Sequence, residues 1–199
     1  MYLHKTVLAS CHIIDSPQAV PLATSILKSY LPYSEELEVI LKDFYLNETP
    51  VNAAESILKL NPDSVGFSMY IWNRDFFVQT ARIIKSKNND IVIYAGGAEI
   101  TASAQSLMDD HNFDYLIRGE GELPFVQLFD YLSGKDTSMP EKLLKMSYLD
   151  NLELIPSPFL TLTLDPARWK GLLWELSRGC PYNCSFCSES RGVTGVRYY

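Results

Sequence analysis

Three cysteines near the end of the chain, Cys180, Cys184 and Cys187, follow the spacing C-x3-C-x2-C within the stretch RGCPYNCSFC. In a reducing compartment, thiols so closely grouped bind metal or do redox chemistry more often than they form disulfides. Three thiolates suit three irons of a [4Fe–4S] cube, with the fourth iron left open to an outside ligand. Zinc is the competing chemistry, but a structural zinc site takes four protein ligands, usually as two close pairs. No Cys or His follows Cys187, so a fourth zinc ligand would have to be His4, Cys11, His12 or His111. The spacing supports none of these, and iron–sulfur chemistry is the stronger reading.

The elements ahead of the cysteines alternate short apolar runs with amphipathic segments. Strands are predicted over 5–10, 36–41, 63–68, 90–95 and 114–119, each short and partly β-branched, as for strands covered on both faces. Helical patterns occupy 18–31, a segment opened by Thr49 and Pro50, one starting at Asn73, and 101–111 and 122–132. Five βα units in series predict an α/β fold, a doubly wound parallel sheet of Rossmann-like or flavodoxin-like type with strand order 2-1-3-4-5. Ligands of such sheets bind beyond the carboxyl ends of the strands, here the loops 10–17, 68–73, 96–100 and 119–122. After Gly134 the pattern gives way to turn-rich and proline-rich sequence, read as a linker over 134–169. GLLWELSR, 171–178, then reads as a new strand running into the cysteines.

Bulk properties narrow the function. The 199 residues are 47% hydrophobic and 21% charged, the composition of an ordinary globular protein. No apolar run approaches the roughly 20 residues of a membrane span, and no secretory signal is evident, so a cytoplasmic location is expected. A net charge of −7 argues against a nucleic-acid surface.

The segment CPYNCSFC, with Phe186 just before the third cysteine, resembles the signature of the radical S-adenosylmethionine enzymes. In that family the cysteines follow the first strand of a partial (β/α) barrel, and LLWELSRG fits that strand. The resemblance implies a [4Fe–4S] cluster on Cys180, Cys184 and Cys187, with S-adenosylmethionine on the open iron and Phe186 beside it. It also implies an electron donor that reduces the cluster, and a radical that takes hydrogen from a small-molecule substrate.

A five-stranded α/β domain ahead of the barrel resembles the subgroup with an N-terminal cobalamin-binding domain. GFSMY places Ser68, Met69 and Tyr70 where that subgroup approaches the nucleotide tail of cobalamin. AGGAE supplies Gly96 and Gly97, and RGEGELPF supplies Gly119, Glu120, Gly121 and Glu122, matching the subgroup's G-E-G-E. LIPSPF is similar to its interdomain linker. One departure concerns the D-x-H-x-x-G motif of domains that ligate cobalt from below. Here SCHIIDSPQA has His12 without the flanking Asp and Gly, which leaves the axial ligand open.

The resemblance thus implies residues 1–133 as the cobalamin domain, 134–169 as linker, and 170–199 as the start of a truncated radical domain that would be inactive alone. The implied activity is methyl transfer, with cyclisation or rearrangement as chemistry of other relatives. A non-catalytic cobalamin-binding or sensor module is the alternative. A signalling domain fits poorly, because strand 3 ends in Gly66-Phe67-Ser68 rather than in a phosphoacceptor Asp. Leu172, Leu173, Trp174 and Leu176 would form an unpaired strand edge, so a dimer through the C-terminal segment is expected.

Overall fold

A computed structural model describes residues 3–31, 37–144, 146–182, 184–187 and 195–199. Glu36, the first residue of the second expected strand, and part of the cysteine segment, Asn183 and 188–194, lie outside the described residues.

Six parallel strands form one sheet: His4–His12 (β1), Leu37–Tyr45 (β2), Ser64–Ser68 (β3), Val92–Gly96 (β4), Tyr115–Ile117 (β5) and Leu143–Leu144 (β6). Their order is β2-β1-β3-β4-β5-β6, so the expected 2-1-3-4-5 arrangement is present with a short strand added beyond β5. That sixth strand lies inside the segment read as linker, where Leu143 and Leu144 pair with Leu116 and Ile117. β1 and β2 run longer than expected because they pair in register from His4–Leu37 to His12–Tyr45. His12 therefore ends a strand rather than belonging to a loop.

The helices are Leu22–Tyr30 (α1), Pro50–Leu58 (α2), Arg74–Lys87 (α3), Ala98–Ser103 (α4), Gln105–Met108 (α5) and Glu122–Leu132 (α6). At the start of α2 the Thr49 hydroxyl accepts from Asn52 N at 3.2 Å, with Pro50 in the first turn, where its missing N–H costs nothing. The expected helix over 101–111 starts earlier, at Ala98, and divides at Ala104 into α4 and α5.

Strand alternation sorts the core into two layers. Val7, Ala9, Val65, Phe67, Ile93 and Ala95 pack with Ala54, Ile57, Phe77, Ala81 and Ile84 of α2 and α3. On the other face Leu8, Tyr94 and Ile117 meet Phe125, Leu128 and Phe129 of α6, with Leu27 of α1 alongside. Gly66 belongs to this second face, and a Cβ there would lie 2.2 Å from Tyr94 Cε2. Its bare backbone lets the Tyr94 ring cross β3 and set its hydroxyl 2.7 Å from Thr6 Oγ1 on β1.

The segment after residue 170 differs from expectation. Residues 171–176 belong to no strand. The strand here is Ser177–Cys180 (β7), which pairs antiparallel with Gly195–Tyr198 (β8). This pairing joins 177–180 to 195–198 and leaves Leu172, Leu173, Trp174 and Leu176, the edge expected to seek a second chain, outside it. Among the described residues no helix is long and apolar enough to cross a membrane.

His4 closes the amino end of the sheet, buried, with Nε2 2.9 Å from Ser64 Oγ. Burial holds its pKa below the ordinary value, against a smaller upward pull from Asp63. The unfolded chain then binds a proton that the folded state resists, so stability is full above about pH 6.5 and falls on acidification through that value. Urea unfolding should show this decline between about pH 7 and pH 5.5, and His4→Gln should make it shallower. An identical slope in the variant would assign the pH dependence to other groups.

Candidate functional site

The loops beyond the carboxyl ends of β1, β3, β4 and β5 surround a cleft of about 770 Å³ on the side of the sheet covered by α1 and α6. Leu8, Gly66, Tyr94 and Ile117 are among its sheet residues, and Leu27 contributes from α1. Burial raises the Tyr94 phenol well above its ordinary pKa, so it is a neutral hydroxyl at every physiological pH.

Side chains and backbone brace the loops to one another. Buried Asn73 donates from Nδ2 to Cys11 O at 3.0 Å and to Ser68 O at 3.1 Å, while its Oδ1 accepts from Tyr70 N at 2.8 Å. Trp72 Nε1 donates to the same Cys11 carbonyl at 3.3 Å, and its ring stacks on Tyr70 at 4.5 Å. Between β3 and β4, Met69 N donates to Gly96 O at 2.8 Å and Glu99 N donates to Met69 O at 3.1 Å. Between β4 and β5, the Thr101 hydroxyl donates to Gly97 O and accepts from Gly119 N, each at 3.0 Å.

The glycines serve this bracing in different ways. Gly97 has φ +107°, and a Cβ there would lie 2.7 Å from Met69 O, so both its conformation and its neighbour exclude a side chain. Gly119, at φ +80°, would place a Cβ 2.5 Å from Met146 Cγ. Gly96 has no such restriction, since its Cβ would meet Ile117 only at 3.5 Å.

Of the residues singled out in the sequence, Ser68, Tyr70, Gly96, Gly97, Gly119, Glu120, Gly121 and Glu122 line the cleft. Met69 does not. Its side chain is fully buried in the core, and only its backbone takes part. The Ser68 hydroxyl makes no hydrogen bond among the described residues and is open to a ligand.

Glu120 and Glu122 have partners that sequence reasoning missed. Arg178 Nη1 lies 2.7 Å from Glu122 Oε1 and 3.4 Å from Glu120 Oε2, and Arg197 also pairs with Glu120. Arg178 meets Glu175 as well, through Nε at 2.9 Å and Nη2 at 2.8 Å. Burial alone would weaken the Arg178 charge, but Glu175 and Glu122 hold its pKa above the ordinary value. Asn73 did carry a sequence signal, as a helix-start residue, but its side chain ties loops together instead of capping α3.

His12 turns toward β2, with Nε2 3.4 Å from Asp43 Oδ1. Cys11 beside it is buried, and burial followed by the Glu48 charge pushes its thiol up to about 12, far from thiolate chemistry at neutral pH. Cys180 ends β7, Cys184 is exposed, and Cys187 N donates to Cys184 O at 3.1 Å, turning the loop back on itself. Among the described residues no three Cys, His, Asp or Glu side chains converge as metal ligands. Phe186 is 90% exposed.

A doubly wound parallel sheet with a glycine-lined cleft at its carboxyl edge, next to the β2-β1-β3 switch, is an architecture whose ligands bind at that edge. The chain matches the B12 binding domain family over residues 17–129 and belongs to that family. It is 30% identical, over 84% of its length, to the cobalamin-dependent radical SAM methyltransferase TokK of Streptomyces tokunonensis. It is 27% identical, again over 84%, to the 2-(S-pantetheinyl)-carbapenam-3-carboxylate methyltransferase of Streptantibioticus cattleyicolor. It spans 28% of the length of each of these proteins. Its fold is similar to that of the cobalamin-dependent S-adenosylmethionine radical enzyme OxsB in the apo state, with a TM-score of 0.71 at 21% identity. That likeness covers 98% of this chain and 30% of OxsB. The resemblance read from the cysteine and glycine motifs is borne out at the level of family.

The two adjacent glycines should respond differently to a methyl group. Gly97→Ala should lower stability by about 1–3 kcal/mol in urea unfolding, from strain and the clash with Met69. Gly96→Ala should change it by less than about 0.5 kcal/mol. Equal effects would contradict the distinct roles.

Proposed function

We propose that this chain is the cobalamin-holding part of a cobalamin-dependent radical S-adenosylmethionine enzyme that transfers a methyl group to a small-molecule substrate. The observation that carries the reading is the glycine-lined cleft at the carboxyl edge of a B12-binding domain, within contact of the segment that leads into C-x3-C-x2-C. Its volume of about 770 Å³ falls in the range of roughly 300–1,000 Å³ that encloses a drug-sized group. That suits one arm of a cobalamin, the nucleotide tail, with the corrin ring outside it. Bound cobalamin would supply a methyl carrier.

The protein's own part is positioning. Backbone at Gly96 and Gly97 allows close approach of the tail, and the free Ser68 hydroxyl offers it a hydrogen bond. Leu8, Leu27 and Ile117 give an apolar floor suited to the base at the end of the tail. Tyr70 and Trp72 form a stacked, partly exposed aromatic pair at the edge of the cleft. His12 is engaged by Asp43, so it is not assigned as a cobalt ligand.

Cys180, Cys184 and Cys187 are assigned to a [4Fe–4S] cluster, and the exposed Phe186 to the S-adenosylmethionine that would bind its open iron. A reductant outside this chain would serve as electron donor. The assignment of 1–133 to the cobalamin domain and of 170–199 to the radical domain accompanies this reading, with the sixth strand making 134–169 more than a tether.

Visible titration with hydroxocobalamin should give a saturable spectral change. Anaerobic reconstitution of the full-length protein with iron and sulfide should give a broad absorption that dithionite bleaches. Cys184→Ala should lose that absorption and keep the cobalamin change. Zinc bound in place of iron would overturn the cluster, and absence of a cobalamin change would overturn the cleft assignment.

A further inference from the structure

The segment Lys170–Gly179 crosses the mouth of the cleft as a strap pinned at both ends. At one end Lys170 Nζ meets Asp15 Oδ2 at 2.6 Å, and a Cβ on Gly171 would lie 2.5 Å from Pro17 O, so the strap presses on the loop after β1. At the other end Arg178 reaches Glu120 and Glu122, on the turn after β5. Between these points the residues alternate. Leu172, Trp174 and Leu176 are exposed, while Leu173, Glu175 and Ser177 line the cleft. The strap therefore roofs the cleft without filling it.

The two pins differ in strength. Lys170 and Asp15 are both about three-fifths exposed, at 60% and 61%, and such pairs contribute little. Arg178 and Glu122 are 12% and 5% exposed, and Arg178 also takes a two-point grip on Glu175 within the strap itself. Tyr199 donates to the same Glu175 oxygen at 2.6 Å, and Arg197 of β8 pairs with Glu120. Removing one partner from such a buried network strands the opposite charge, whose desolvation is then uncompensated. The whole hairpin of β7 and β8 is thereby held on the G-E-G-E turn, and β7 ends at Cys180.

We propose that Arg178 and Glu122 form a latch that closes the strap over the cobalamin cleft and fixes where the cysteine loop begins. This rests on the cleft being the cobalamin site. Arg178 is a positioning residue: it acts on the bound tail through the strap, and on the cysteines through β7. Entry and exit of the tail require the latch to open, so the latch slows both. Only arginine can span Glu120, Glu122 and Glu175 together, because a lysine offers one point charge in place of a planar fork.

The test uses this chain with Arg178→Gln, Glu122→Gln, the double variant and Arg178→Lys. Chymotryptic cleavage after Leu172, Leu173, Trp174 or Leu176 reports opening of the strap without any ligand. Stopped-flow release of hydroxocobalamin reports retention, and thermal midpoints check the fold. Each single Gln variant should raise both rates about tenfold or more, as expected from loss of a buried pair. The double variant should add little to either, and Arg178→Lys should recover part of the effect. Wild-type cleavage rates in both Gln variants would overturn the latch, whether or not cobalamin binds. Fast cleavage with unchanged cobalamin release would overturn its role as a gate. Failure of the wild type to bind cobalamin would refute the cleft assignment, and the gate with it, while the cleavage data still decide whether the strap is latched.

Discussion

Where parallel strands end, each loop leaves with backbone polar groups that no neighbouring strand can pair, and burying them unpaired would be costly. The structure meets this constraint by tying each loop to the next. Asn73 satisfies the Cys11 and Ser68 carbonyls, Met69 exchanges hydrogen bonds with the β4 loop, and Thr101 joins Gly97 to Gly119. The result is a rim that is fixed before any ligand arrives. A preformed cleft loses less free energy to ordering when a flexible cofactor arm enters it.

The glycines follow from that rim. A side chain on Gly97 would push Met69 away and open the seam between β3 and β4, and a side chain on Gly119 would displace Met146. Gly66 works lower down, by letting Tyr94 lie across β3 and bond to Thr6. The lining of the cleft and internal packing thus draw on the same absent side chains. The carboxylates of the G-E-G-E turn divide similarly between lining the cleft and gripping the arginines of the C-terminal hairpin.

The sheet was legible because its central strands are short apolar runs flanked by helices with clear starts, such as Thr49-Pro50. The full extent of β1 and β2 was not, since the apolar run that marks β2 stops at Leu41, and only pairing with Ala9 and Ser10 carries the strand through Lys42 and Asp43. β6 escaped notice because two leucines carry no periodicity, and only β5 beside them makes a strand. In 171–176 a nearly continuous apolar run suggested a strand, but Leu172, Trp174 and Leu176 are exposed and among the described residues no strand pairs with the segment. Cleft residues at strand ends could be placed from topology alone. The partners of Glu120 could not, because Arg178 lies 58 residues away and sequence gives no distance between them.

The central claim is that one edge of the sheet, closed by the strap, is where cobalamin is held. Hydrogen–deuterium exchange with and without hydroxocobalamin addresses it most directly, since the amides concerned are spread over separate peptides. Protection should appear together in 10–12, 68–73, 96–101, 119–122 and 171–179, and the amino-end turns around Asn61 and Asn89 should be unchanged. Protection confined to those amino-end turns, or none at saturating cobalamin, would contradict the claim.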